Sequence, residues 1–182
     1  MRTSTRIATL AALLFATFAW AAPPPCTTII IVRHAEQTDP NAADPPLSPA
    51  GEARATALAK VLEHSGVQAA YVTQFKRTKA TAARTVALLH IPVTEVPVPA
   101  NIAEHAHLLA QRVLSEHPGG TVLIVGHSNT VPAIVTALTN VPVHPIAITE
   151  YDRFTIVTAG AAGCQHVIQS QYGHKRVEKS EE

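Results

Sequence analysis

Thr27-Thr28-Ile29-Ile30-Ile31-Val32-Arg33-His34 is the stretch whose reading decides the fold. From Thr27 to Val32 the side chains are apolar or β-branched, with no alternation of polar residues. Such a run predicts a strand buried on both faces of a mainly parallel sheet. It ends on Arg33-His34, so two chemically active side chains stand just past its carboxyl end. The pattern returns downstream: Thr121 to Val125 is a second fully apolar strand, and Gly126-His127 closes it. Val67 to Thr73 reads as a further strand, followed by Gln74 to Arg77.

Helical patterns fill the intervals. Ser48 as N-cap and Pro49 at the first helical position open a helix in which Ala53, Ala57, Leu58, Val61 and Leu62 recur at helical spacing, and Gly66 closes it. Thr78 to Leu89 is a second helix. Residues 101–116 are a third, with Ile102, Leu108, Leu109 and Val113 near one face, and a fourth runs from about Ser128 to Leu138. The short run Ile91 to Val98 is interrupted by prolines and belongs at a sheet edge. Arg153–Thr158 and His166–Gln169 read as two last strands, arranged as a hairpin. Strands alternating with helices predict an α/β fold, a three-layer α/β/α sandwich with a mainly parallel sheet. Ligands of such sheets sit beyond the carboxyl ends of the strands, where Arg33-His34, Gln74 to Arg77 and Gly126-His127 converge.

The N-terminus carries a different signal. Arg2 and Arg6 precede an uncharged, largely apolar stretch from Ile7 to Trp20, and Ala19-Trp20-Ala21 offers small residues at a cleavage site. Residues 1–21 are therefore expected to be a signal peptide, too short for the roughly 20 apolar residues that span a bilayer. The expected product is secreted or periplasmic, with residues 22–173 as one domain, a charged tail at 174–182, and no stable membrane insertion after cleavage. The chain holds 14 Lys and Arg against 13 Asp and Glu, so nothing attracts nucleic acid over a broad surface. Affinity for an anion must come from a local cluster. An oxidising compartment allows Cys26 and Cys164 to form a disulfide, and two unrelated cysteines is the other reading; the residues do not decide between them.

Phosphoryl transfer fits the converging residues. Arg33 and Arg77 offer forked donors that match phosphate oxygens. Of the two histidines, His34 is placed to attack phosphorus and His127 to donate a hydrogen bond to a phosphate oxygen. Ser128 and Asn129 open a helix directly after a strand, where backbone N–H groups make an anion cradle. The ten histidines show no metal-binding spacing, and no cofactor is called for.

Four motifs in this order resemble the histidine phosphatase superfamily, in its small branch with the phosphoglycerate mutase-like fold. They are Arg33-His34-Ala35-Glu36, Asp44-Pro45-Pro46-Leu47-Ser48-Pro49-Ala50-Gly51, Thr73-Gln74-Phe75-Lys76-Arg77-Thr78-Lys79-Ala80-Thr81-Ala82, and Val125-Gly126-His127-Ser128-Asn129-Thr130. The resemblance implies His34 as phosphohistidine nucleophile and a phosphate pocket completed by Arg33, Arg77 and His127, without metal or organic cofactor. It also implies that a carboxylate near the pocket protonates the leaving group. Glu104 is one candidate, yet Asn101-x-x-Glu104 also reads as a helix cap, the favoured reading. Glu36 is another, and the role can be unfilled. A phosphorylated small molecule is the expected partner and hydrolysis of a phosphomonoester the expected activity. A protein phosphohistidine phosphatase is the runner-up, and a non-catalytic phosphate-binding domain is the alternative of a different class. The loop after His34 is too short for the covering insertions that a mutase needs. Oligomeric state is not readable from the sequence.

Overall fold

The computed structural model describes residues 25–160 and 163–173. The expected signal peptide at 1–21 and tail at 174–182 lie outside them. The elements follow in the order β1 (Thr27–Arg33), α1 (Pro49–Leu62), β2 (Val67–Val72), α2 (Lys76–Leu89), β3 (Val93–Glu95), α3 (Ile102–Glu116), β4 (Thr121–Gly126), α4 (Thr130–Thr139), β5 (Arg153–Ala159) and β6 (His166–Gln171). They build a six-stranded sheet in the order β3-β2-β4-β1-β5-β6. The four strands from β3 to β1 run parallel, while β5 is antiparallel to β1 and pairs with β6 as a hairpin.

The unbroken apolar run of β1 is explained by its central place. Ile29 and Ile31 face a core shared with α3 and α4, and Ile30 and Val32 face a second core shared with α1 and α2. Helices thus cover both faces of the sheet. Each such side chain contributes about 1.5–3 kcal/mol on full burial. β3 lies at the edge, as its prolines require, and is confined to three residues.

Two helices bury only part of the apolar set that their spacing suggests, Leu58 and Leu62 in α1 and Leu109 and Val113 in α3. In α1 the buried residues include Gly51, Arg54, Ala55, Leu58 and Leu62, while Val61 is 52% exposed. Arg54 takes an inward position because it forms an ion pair with Glu36, Nη2 to Oε1 at 2.8 Å. In α3, His105, Ala106, Leu109, Ala110 and Val113 are buried and Leu108 faces solvent. The helix ends follow the expected chemistry. Ser48 accepts the Gly51 N–H at 3.2 Å and Asn101 accepts the Glu104 N–H at 3.2 Å.

Cys26 and Cys164 are joined by a disulfide, their Cα atoms 5.5 Å apart. It ties the residue before β1 to the turn between β5 and β6. No helix among the described residues is long and apolar enough to cross a membrane.

Candidate active site

Strand register brings the two motif histidines together. Arg33 on β1 lies opposite Gly126 on β4, and the His34 N–H donates to the Gly126 carbonyl at 2.8 Å. The next residue on each strand is therefore a histidine, and the two rings stand 5.3 Å apart between centroids. Gly126 has to be small. A Cβ there would lie 2.6 Å from Thr130 Oγ1, the atom that accepts the His127 N–H at 2.8 Å. Arg33, His34 and His127 are 5%, 5% and 8% exposed, respectively.

The proton on His34 can be placed. Its Nδ1 lies 2.9 Å from the Ala35 carbonyl oxygen, which can only accept, so Nδ1 carries the hydrogen. In a neutral ring Nε2 then keeps its lone pair. Burial, with Arg33 and Arg77 adding repulsion, lowers the His34 pKa to about 4. Burial also lowers that of His127 to about 3, helped by the nearby His34, Arg77 and Arg33. Each ring is neutral across the ordinary pH range. His127 Nε2 is 3.0 Å from Thr73 Oγ1, which is 2.9 Å from Thr78 Oγ1. A buried hydroxyl chain therefore fixes the orientation of the second histidine.

Arg77 stacks on Phe75, its guanidinium carbon 4.3 Å from the ring centroid, and Phe75 meets the edge of His127. The Arg77 Nη1 approaches Asp44 at 3.7 Å. Asp44 also accepts the Lys76 N–H at 2.9 Å, pinning the 37–47 loop to the start of α2. Arg33 differs from the expected open fork. Its Nη1 donates to the carbonyls of Ala147, Ile148 and Glu150 at 2.8–2.9 Å, and Tyr151 covers the group at 4.0 Å. Burial lowers the pKa of both arginines, but a guanidinium stays charged at any working pH. The Nε atoms of Arg33 and Arg77 are buried and have no hydrogen-bond acceptor among the described residues.

His34, Gln37, Phe75, Arg77, Val98, His127, Ser128 and Asn129 line one cavity of about 490 Å³. The expected residues His34, Arg77, His127, Ser128 and Asn129 are thus brought together, while Arg33 packs against Tyr151 and is not in this lining. Neither is Glu104. It lines a separate cavity with Val96, Pro97 and His105, and its carboxylate accepts from the Asn101 side chain at 3.1 Å. The capping spacing already contained this outcome. Glu36 is held by Arg54. Among the described residues no group of three or more His, Cys, Asp or Glu could hold a metal ion.

Other motif positions support the site. Thr81 Oγ1 accepts the Ala35 N–H at 2.9 Å and donates to the Arg77 carbonyl at 2.7 Å, linking the turn after His34 to α2. A Cβ on Gly51 would fall 2.1 Å from the Glu36 carbonyl oxygen, so the first turn of α1 packs directly on the β1 exit. Tyr151 was not singled out by sequence. It lies in an irregular segment with no periodicity or motif around it.

Residues 29–98 match the family model described as the histidine phosphatase superfamily (branch 1), a span that includes Arg33, His34 and Arg77. No curated protein matches the chain. Among solved structures, the chain is similar to Bacillus stearothermophilus YhfR, with 20% identity, a TM-score of 0.65, and coverage of 78% of this chain and 95% of that one. It is also similar to the protein histidine phosphatase SixA complexed with tungstate, at 19% identity and TM-score 0.63 over 79% and 96% of the two chains. A mycobacterial glucosyl-3-phosphoglycerate phosphatase, Rv2419c, is 13% identical with a TM-score of 0.66 over 81% and 98%. At these identities the likeness is one of fold. The family match thus takes in the Arg33-His34 and Arg77 motifs, and the chain shares the fold of these solved structures.

Proposed function

We propose that the protein is a metal-independent phosphatase that hydrolyses a phosphomonoester through a phosphohistidine on His34. One observation carries this reading: two arginines, whose buried Nε atoms have no acceptor among the described residues, stand around a neutral histidine whose Nε2 lone pair is available. An unsatisfied buried donor costs about 1–3 kcal/mol, and a phosphate supplies the missing acceptors together with the opposite charge.

In the first half-reaction the His34 Nε2 lone pair forms a bond to phosphorus as the P–O bond to the alcohol breaks. The departing oxygen keeps that electron pair and takes a proton from water, since Glu36 is paired with Arg54 and Glu104 faces another cavity. In the second, a water oxygen attacks phosphorus, the N–P electron pair returns to Nε2, and the proton of the water passes to solvent. Arg33, Arg77, His127 and the N-terminal end of α4 at Ser128 and Asn129 hold the equatorial oxygens, whose charge must be stabilised in transfer. Likeness to SixA supports a second reading, a protein phosphohistidine phosphatase, which would use the same nucleophile.

Export completes the proposal. The leader pattern at residues 1–21 and the Cys26–Cys164 bridge fit an oxidising compartment. Intact mass of the protein recovered outside the cytoplasm should begin at Ala22 with the disulfide formed; an uncut chain confined to the cytoplasm would refute it. The activity is tested by turnover of an aryl phosphate and of a phosphohistidine peptide in EDTA. Turnover that survives EDTA and disappears in His34→Ala is expected. Aryl phosphate turnover unaffected by that substitution would refute the mechanism, and binding of phosphate with no turnover of either substrate would leave a non-catalytic anion-binding domain.

A further inference from the structure

Beside the His34 cavity lies a second, larger cleft of about 580 Å³, whose lining includes Gln37, Thr38, Ser48, Ala53, Ala57 and Tyr151. We infer that this cleft is the subsite for the leaving alcohol, and that it takes an uncharged, ring-bearing group. The inference rests on the phosphatase reading above and adds the substrate class to it.

Continuity is the first argument. Gln37 lines both cavities, and the Tyr151 ring that walls the larger one stands 5.9 Å from the His34 ring between centroids. His34 is 5% exposed and lines the smaller cavity. A group departing in line, opposite Nε2, moves outward to the mouth, where Gln37 forms the shared wall.

Charge is the second. The charged side chains lining the larger cleft are Glu36 and Arg54, and these are paired with each other at 2.8 Å. A leaving group with a further negative charge would approach the Glu36 carboxylate with no uncommitted cation among the described lining residues to offset it. Polyanionic substrates are disfavoured on that ground.

Shape is the third. Ala50, Ala53 and Ala57 recur on one face of α1 and leave a shallow apolar floor. Tyr151, fixed by Arg33 stacked 4.0 Å from its ring centre, adds an aromatic surface, while Gln37 and Thr38 offer polar contacts at the rim. An apolar floor, an aromatic wall and a polar rim suit a ring with one apolar face, as in an aryl alcohol or a cyclic sugar.

Filling the cleft tests this without touching the phosphate cavity. Ala53 and Ala50 are solvent-exposed, so Ala53→Trp and Ala50→Trp are two independent filling variants. Phenyl phosphate and a hexose 1-phosphate are the ring substrates; acetyl phosphate, whose leaving group is small and departs readily, is the control. The expected result is a loss of kcat/KM of at least about tenfold on a ring substrate, the scale available from apolar pocket contacts. Acetyl phosphate turnover and competitive inhibition by inorganic phosphate should stay within about twofold of the unmodified enzyme. Loss confined to one ring substrate identifies the ring that the cleft takes. Ring turnover unchanged in both variants, or ring and acetyl phosphate turnover falling together in both, would overturn the inference. So would an unmodified enzyme that hydrolyses acetyl phosphate but neither ring substrate. If it hydrolyses none of the three, the phosphatase reading itself fails.

Discussion

Two polar regions of this molecule are built from the same kinds of side chain, and they differ in how completely their hydrogen bonds are met. Around the C-terminal end of α3, the Tyr71 hydroxyl lies 2.7 Å from Glu116 and 2.8 Å from the His117 ring, Arg112 pairs with Glu116, and Thr27 donates to the His117 carbonyl. At the carboxyl edge of the sheet, Arg33 and Arg77 keep buried Nε atoms without acceptors among the described residues, and two neutral histidines face each other. The first cluster holds the sheet to its helix and asks for nothing further. The second is short of acceptors among the described residues and rich in positive charge, which the phosphate of the proposed reaction would offset.

The comparison breaks most sharply by removing one arginine from each region. Arg77→Ala should lower kcat/KM for an aryl phosphate by about a hundred- to a thousandfold, the range for losing a donor that stabilises transition-state charge. Arg112→Ala should leave turnover within about twofold. Equal losses in steady-state kinetics would mean that the two regions do not differ in kind.

The Cys26–Cys164 bridge sharpens the same contrast from the stability side. Replacing both cysteines by serine should cost about 2–5 kcal/mol in denaturant unfolding, because the bridge closes most of the chain, with a sequence separation of 138. At a temperature where the variant is folded, kcat should hardly change. A variant as stable as the parent would show that the bridge constrains little.

A smaller effect separates the positioning of His127 from its presence. Thr73→Val removes the hydroxyl 3.0 Å from His127 Nε2 and should reduce kcat by about tenfold, whereas Thr73→Ser should recover most of it. Equal rates in the two variants would leave the hydroxyl chain with a packing role only.

A last effect, on stability, is in acid. Unfolded histidines ionise near pH 6.5, whereas His34 and His127 do so at about 4 and about 3 in the folded protein. Between these limits the unfolded chain binds more protons, so stability falls as pH drops from about 6.5 toward 4. Ring ¹⁵N shifts should report both residues neutral at pH 5.5, and His34→Gln should flatten part of the acid-side loss. Two rings charged at pH 5.5 would contradict the burial argument.

Much of this architecture was legible in the sequence because it is carried by local signals. Apolar β-branched runs marked β1 and β4, Ser48 and Asn101 marked helix starts, and the motifs put His34, Arg77 and His127 beyond strand ends. The sequence also carried the alternative for Glu104, since the Asn101-x-x-Glu104 spacing reads as a cap. What escaped was long-range. Arg54 points inward to Glu36 and the Tyr172 carbonyl, so that Leu58 and Leu62 keep the inward place expected for them in α1 while Ala53 and Val61 face outward. The commitment of Arg33 to three carbonyls of residues 147–150, and the seat of Tyr151 against it, depend on an irregular segment more than a hundred residues away. No periodicity encodes such a contact.

The central claim is that His34 takes up the phosphoryl group. Rapid acid-free quenching of the enzyme during turnover of a ³²P-labelled phosphomonoester, followed by peptide mapping, tests it most directly. The account predicts label on the peptide containing His34, stable to alkali, lost in mild acid and absent from His34→Ala. Turnover with no label on that peptide, or label carried by another residue, would contradict it.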